Sequence, residues 1–338
     1  MVRVRVTERE ITAPVSLTLP NGRLNPDAVG WTRRPLHDTS GVATRTGWGR
    51  NKRWEYWAVV SPTHLVALTV ASIDFAAVSE VWIFDRATGR SVGHSAIRPF
   101  GAGVVLPPSL AEGSASARAK GLTIDITERD GSTLLSAAID GASFEVEALL
   151  PRDHERLGVV VPWSDRRFQY TVKDVARPAR GWVEVDGTRH TLDADDTWAV
   201  LDHGRGKWPY DVHWNWGAGS GRSHGRVIGV QLGSKWTDGT GSTENALVVD
   251  GRLHKNSEEL VWDYRPEAWL EPWHIHGETA DLTFVPFHDK ASSTQLGIIS
   301  TRTDQLFGHY SGWMLDDSGA RVEFDGILGW AEDVHNRW

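Results

Sequence analysis

Residues 197–225, TWAVLDHGRGKWPYDVHWNWGAGSGRSHG, set Asp202, His203, Arg205, Lys207, Tyr210, Asp211 and His213 among Trp198, Trp208, Trp214 and Trp216. A carboxyl group placed against indole faces has its charged form penalised by desolvation, which raises its pKa and keeps a proton on it near neutral pH. The same indole faces stabilise a developing cation. These residue types therefore point to acid-initiated chemistry, with Asp202 as the general acid. Arg205 and either His213 or Tyr210 would orient the acid or its substrate, while Trp208, Trp214 and Trp216 would hold a cationic transition state. A plainer alternative makes Asp202 and Arg205 a buried ion pair that orders a tight turn, with the Trp residues as plugs. Alternate residues of a strand share a face. A strand over 197–203 would group Trp198, Val200 and Asp202. A strand over 212–217 would group Val212, Trp214 and Trp216, leaving His213 and Asn215 on the other face.

Further candidates lie downstream. Glu244 and Asn245 open a predicted strand in GSTENALVVDG, where a carboxylate can face a barrel mouth, hairpin capping being the alternative. Trp273 and His274, in EPWHIHGE, are candidate substrate-binding residues. His274 and His276 would point to one side of a strand, a usable metal spacing only if a third ligand such as His213, Glu244 or Glu278 converged. The expected site therefore holds no metal. GAGSG at 217–221 resembles a phosphate loop, but a predicted strand follows it where a helix would be needed. No G-x-S-x-G, H-E-x-x-H or Walker motif is present. GWGRNKRWEYW at 47–57 interleaves Arg50, Lys52 and Arg53 with Trp, which suits cation–π packing or a pocket rim.

The composition narrows the classes. Lys plus Arg number 36 and Asp plus Glu 44, a net charge of −8, which argues against nucleic acid or an anionic membrane as the main partner. There is no cysteine, so disulfides, thiolate metal sites and a Cys nucleophile are excluded. No apolar run reaches the roughly 18–20 residues that span a bilayer. The first residues carry no apolar signal core, so a cytoplasmic protein is expected. Trp numbers 18 against 9 Phe and 5 Tyr. That surplus suggests either an aromatic-lined pocket or a Trp-rich β core with Trp closing barrel ends.

The positioning elements read as strands. Asp-Gly recurs at 130–131, 140–141, 186–187, 238–239, 250–251 and 325–326, with Asn21-Gly22 near the start. These dipeptides tolerate the positive φ of two-residue hairpin turns. Short alternating or β-branched stretches lie between them, at 80–84, 122–127, 143–149, 182–185, 246–249 and 282–285. Residues 81–96 read as a hairpin turning near Thr88-Gly89. The best helical candidate is the Ala-rich 109–120, weakened by Gly113. The fold is expected to be all-β, with two lipocalin-like antiparallel barrels or curved sheets side by side, residues 1–170 and 171–338.

GW-x-R-x-P (Gly30, Trp31, Arg33, Pro35), KRWEYW, VVPW with RFQYTVK, LDHGRGKWPYDVHWNWG, TENALVVDG, FGHYSGWM and the terminal GWAEDVHNRW together carry a resemblance. From about Gly30 to Trp338 the chain resembles a bacterial family known only as a domain of unknown function. More distantly it is similar to the lipocalin-like group of AttH-like proteins, carotenoid 1,2-hydratases and tocopherol cyclases. That resemblance implies two calycin-type halves with a hydrophobic cavity and no metal or organic cofactor. It also implies protonation of a C=C bond, followed by water addition or ring closure. It assigns no individual residue.

The leading reading is a cofactor-independent enzyme for a hydrophobic, isoprenoid- or polyketide-like molecule, by hydration, cyclisation or isomerisation. Two others stay open. One is a non-catalytic carrier of a hydrophobic ligand. The other is a carbohydrate-active protein with Trp platforms and Asp202 and Glu244 as a carboxylate pair. The expected partner is a small molecule, with no nucleic acid and no integral membrane association; the oligomeric state is not specified.

Overall fold

The computed structural model describes residues 7–43, 46–110, 112–296 and 299–338. Among them the only helical turns are short 3-10 pieces at Pro26–Ala28 and Ser40–Ala43, and everything longer is strand. No helix is long and apolar enough to cross a membrane.

Two curled antiparallel sheets form two half-barrels, as expected for lipocalin-like halves. The path through the first runs Arg90–Pro99, Ala76–Asp85, His64–Ser72, Asn51–Val60, Trp198–Lys207, Phe168–Val185 and Ala142–Leu149. It continues through Ser132–Ile139, Leu122–Arg129 and Ala115–Ala119 to Val104–Val105. The second runs Arg252–Asn256, Asn245–Val249, Arg226–Ser234, Asp211–Ser223, Arg321–Arg337, Ile299–Leu315, Ala280–Leu296, Trp273–His276 and Val261–Asp263.

Strand alternation sorts most buried side chains into three main cores, and a fourth, smaller cluster packs Leu17, Leu24 and Ala28 against Val160, Phe168 and Tyr170. Curling brings Trp57, Leu68 and Ile83 from one arm of the first sheet against Ile124, Leu135 and Phe144 from the other. The inside of the second sheet is filled by Val230, Leu247, Trp273, Phe284 and Tyr310. The remaining core lies between the sheets, where Ala58, Val60, Trp198 and Val200 meet Trp216, Phe307 and Trp330. Residues one apart on Asn51–Val60, Trp57 and Ala58, thus serve different cores, because successive side chains leave a strand on opposite faces.

The chain passes from one sheet to the other at Trp208–Tyr210, between Trp198–Lys207 and Asp211–Ser223. The expected boundary at 170/171 falls inside the strand Phe168–Val185.

Most turn expectations are met. Asp186 and Gly187 (φ 50° and 77°) and Asp250 and Gly251 (φ 51° and 84°) are hairpin turns with both central φ values positive. Asp325-Gly326 is not a hairpin turn. It is a bulge within Arg321–Arg337, where Gly326 N–H donates to Ser311 Oγ at 3.1 Å. The helical candidate at 109–120 is also overturned: Ala115–Ala119 is a strand, with Ala115 and Ala117 buried. Its small residues fill the narrow space inside the curl, a tertiary demand that overrides helix propensity.

Candidate active site

A cavity of about 260 Å³ lies between the two sheets, outside both half-barrel interiors. One wall carries Lys52, Trp54 and Tyr56, alternate residues of Asn51–Val60, with Asp202 and Lys173 from the adjoining strands. The facing wall carries Trp214, Trp216, Gln305 and Glu332, and Trp208, Trp236, Glu244, Asn336 and Trp338 are among the other residues lining it.

Lys173 is the centre of the polar cluster. Its Nζ lies 3.1 Å from Asp202 Oδ2 and 3.3 Å from Glu244 Oε2, and 4.0 Å from the centroid of the Trp216 ring. Asp202 also accepts from Thr171 Oγ1 at 2.9 Å and from Trp54 Nε1 at 3.1 Å. Trp236 Nε1 donates to Glu244 Oε1 at 2.6 Å. Glu332 accepts from Trp214 Nε1 at 2.9 Å and from the Gln305 amide at 3.1 Å, and that amide also donates to Tyr56 Oη at 3.0 Å.

Two glycines make room for this arrangement. A Cβ on Gly204 would lie 2.2 Å from the Trp54 indole, so the glycine lets Trp54 lie across the strand and reach Asp202. A Cβ on Gly233 would lie 2.1 Å from Glu244 Oε1, so that glycine opens the niche Glu244 fills.

Three carboxyl groups and one ammonium cannot all be charged in a dry cavity without large cost. Burial pushes Glu244 up to about 7 against the pull of Lys173, with Asp202 adding repulsion. Burial likewise pushes Glu332 up to about 7, although the Trp214 N–H and Lys173 favour its anion. Burial opposes the Lys173 charge, but facing Asp202 and Glu244 outweighs it and raises its pKa. Burial also holds the Tyr56 hydroxyl pKa well above its usual value, so it stays neutral.

Of the residues singled out from sequence, Asp202, Trp208, Trp214, Trp216 and Glu244 meet at this cavity. The others sit elsewhere. Arg205 leaves the same strand on the opposite face and reaches Glu55, 3.3 Å away, beside His203. It therefore forms no pair with Asp202, and the segment holding both is a strand, not a tight turn. His213 contacts Asp333 at 2.9 Å on the far side of the second sheet, in a network with Lys235, Tyr264 and Arg302. Tyr210 is 40% exposed in the crossover, under the Arg50 guanidinium. Asn245 clamps backbone, accepting from Gly233 N–H and donating to Glu258 O. Trp273 stacks on Tyr264, with ring centroids 4.0 Å apart, inside the second half-barrel.

His274 and His276 lie on the outer face of the second sheet, paired with Asp281 and Asp263 at 2.9 Å each. Asp263, His274 and His276 offer ligand atoms within 4.8 Å of one another, whereas none of the third ligands expected from sequence is near.

Lys173, Tyr56, Gln305 and Glu332 were not singled out, yet they belong to the cluster. Lys173 and Glu332 both stand in stretches that carried the resemblance, RFQYTVK and GWAEDVHNRW. The Trp surplus serves both expected roles. Trp54, Trp208, Trp214, Trp216, Trp236 and Trp338 line the cavity, while Trp31, Trp57, Trp273 and Trp330 are fully buried.

A family model described as a domain of unknown function, DUF2804, matches residues 8–338. No curated protein matches the sequence. Among solved structures the fold is similar to kievitone hydratase from Nectria haematococca, at 10% identity and TM-score 0.52, covering 90% of this chain and 94% of that one. It is also similar to CghA with Sch210972, at 10% identity and TM-score 0.53, covering 85% and 88% respectively. A structure assigned to AttH from Nitrosomonas europaea matches at 12% identity and TM-score 0.54, covering 95% of this chain and 98% of that one.

Proposed function

The chain belongs to the DUF2804 family, and from that premise we propose that it is a hydratase- or cyclase-like enzyme acting by proton transfer on an apolar small molecule between its two sheets. The observation that carries the reading is a Trp-walled cavity in which Asp202 and Glu244 share the Lys173 ammonium and Glu332 lies within the field of that charge. Such a cluster holds a proton on a carboxyl group at neutral pH, which protonation of a C=C bond requires. The fold shared with a protein named as a hydratase supports the same class of reaction.

Glu332 is the proton donor in this reading. Burial holds its carboxyl up at about 7, and among the described residues no ammonium lies against it, whereas Asp202 and Glu244 both lie against Lys173 Nζ. The Glu332 O–H bond breaks as a C–H bond forms on the substrate. The cationic carbon left behind faces the Trp214 and Trp216 rings. Water then adds to that carbon, and the proton it loses returns to the Glu332 carboxylate. With an internal π bond as nucleophile in place of water, a C–C bond closes the ring and the new cationic carbon is quenched as a neighbouring C–H gives its proton to the Glu332 carboxylate. The chemistry needs no metal or organic cofactor.

The carbohydrate reading fits the geometry poorly. Asp202 and Glu244 share one ammonium, at 3.1 and 3.3 Å, so Lys173 fills the space where a glycosidase pair leaves a groove for the sugar. The carrier reading uses the same cavity and is separated by experiment. The purified protein is incubated in D2O with a panel of prenylated phenols, terpenes and polyketides, and the products are read by mass spectrometry. Conversion with one deuterium fixed on carbon is expected. Glu332→Gln should bind the ligand and not convert it. Ligands bound but unconverted, with wild type and Glu332→Gln alike, would leave a carrier and sink the enzyme reading.

A further inference from the structure

The acidic cluster occupies one end of the cavity, and the other end is basic. Lys52, Trp54 and Tyr56 leave one strand on the same face, each about 7 Å from the next along the chain. Tyr56 meets the Gln305 amide beside Glu332, whereas Lys52 stands two steps away, beyond Trp54. Lys52 is fully buried, and its Nζ has no hydrogen-bond partner. Only aromatic faces approach it, Phe75 at 4.7 Å and Trp338 at 5.1 Å to the ring centroids. Asp74, the carboxylate whose field reaches Lys52, is already taken by the backbone N–H groups of Gly49 and Asn51. Arg50 adds a second positive charge nearby.

Two more polar atoms lack partners in this part of the lining, Trp338 Nε1 and Asn336 Oδ1. They belong to alternate residues at the end of one strand, on the face that also presents Glu332 and Val334. Buried polar groups in native proteins are nearly always paired, and an unpaired buried cation is costlier than an unpaired neutral group. Burial lowers Lys52 to about 8, which leaves it mainly charged at neutral pH. A ligand anion would satisfy the ammonium and the indole N–H together.

We infer that Lys52 and Trp338 receive an anionic group of the ligand, so that the substrate is an apolar organic acid carrying a carboxylate or an ionised enol or phenol. This rests on the proposed reading of the cavity and adds the substrate class to it. Lys52 lines the cavity, and its Nζ must turn out from beside the Phe75 and Trp338 rings to meet the bound group. The anion is drawn to the basic end and repelled by Asp202, which leaves the neutral, reacting end of the molecule against Glu332.

Calorimetry with 1-naphthoate and its neutral isostere 1-naphthamide tests this on the full chain. Wild type should bind the naphthoate at least tenfold more tightly than the amide. Lys52→Met should erase that preference while leaving the amide affinity unchanged. Trp338→Phe, which keeps the ring and removes the N–H, should reduce the preference severalfold and decides the matter if Lys52→Met does not fold. Equal affinity for the two probes in wild type, or an unaltered preference in the variants, overturns the anion site and leaves the cavity reading standing. Failure of both probes to bind overturns the cavity reading and the anion site with it.

Discussion

Replacing Glu332 by Gln should stabilise the protein above neutral pH and do little for it in mild acid. The Glu332 carboxyl is held up at about 7 by burial, against about 4.3 in an unfolded chain. Below the unfolded value both states carry the proton, and the native state bears no penalty. As pH rises through about 7 the unfolded chain has released its proton and the folded one must follow, so stability is lost across that window. Each unit of separation is about 1.4 kcal/mol, so about 2.7 units give a whole effect of about 4 kcal/mol. An amide has no charge to desolvate. Its carbonyl can keep the Trp214 N–H, but its NH2 group would face the Gln305 amide, which must turn over to offer its oxygen. That rearrangement costs about 1 kcal/mol. The variant should therefore gain about 3 kcal/mol at about pH 8 and come out near zero at about pH 5, where about 1 kcal/mol of the penalty is already present and offsets the rearrangement. Urea denaturation followed by Trp fluorescence at the two pH values measures both. A shift of the same size and sign at both pH values would refute the raised pKa, and with it the argument for Glu332 as acid.

Gly204→Ala should push the Trp54 indole off Asp202 and destabilise by about 1–3 kcal/mol, read by urea denaturation, with weakened ligand binding as the second readout. Lys173→Met strands Asp202 and Glu244 and should cost about 3–5 kcal/mol near neutral pH; the loss should shrink toward about pH 5 as Glu244, raised by burial, takes up its proton. Asp333→Asn should show a pH trend opposite to that of Glu332→Gln. Burial disfavours the Asp333 anion, but His213, Lys235 and Tyr264 hold its pKa far below the usual range. Its contribution is therefore present above the unfolded value of about 3.9 and lost as pH falls below it, so denaturation near pH 7 should show the larger deficit.

Much of the strand layout was legible, because the sheets obey a period of two and the turns use residues that tolerate positive φ. Trp214 and Trp216 share the cavity face, and His213 and Asn215 the other, as alternation demands. Arg205 was misplaced for a physical reason. Gly204 and Gly206 look like a turn, which would have brought Arg205 back toward Asp202, whereas they lie inside a continuous strand. Glycine is there because Trp54 and Gln169 lie across the backbone. Glu332 and Lys173 were invisible as site residues because their meeting depends on how the sheets face each other. Asp202 is joined to Trp54 across 148 positions of chain, and no local pattern encodes that separation. Asp325-Gly326 shows the limit of turn chemistry, since the same dipeptide that closes a hairpin also permits a bulge.

The seam between the sheets divides labour in the molecule. Each half-barrel is filled by its own side chains, so rigidity comes from two interiors that lie apart from the cavity. The reacting groups stand on the outward faces of the same strands, one residue out of step with those interiors. Substitutions at cavity positions can therefore accumulate without opening a hole in either core, and a new ligand shape can be met by resetting a few alternate residues. An architecture of this kind favours evolutionary drift in substrate choice while the scaffold stays fixed.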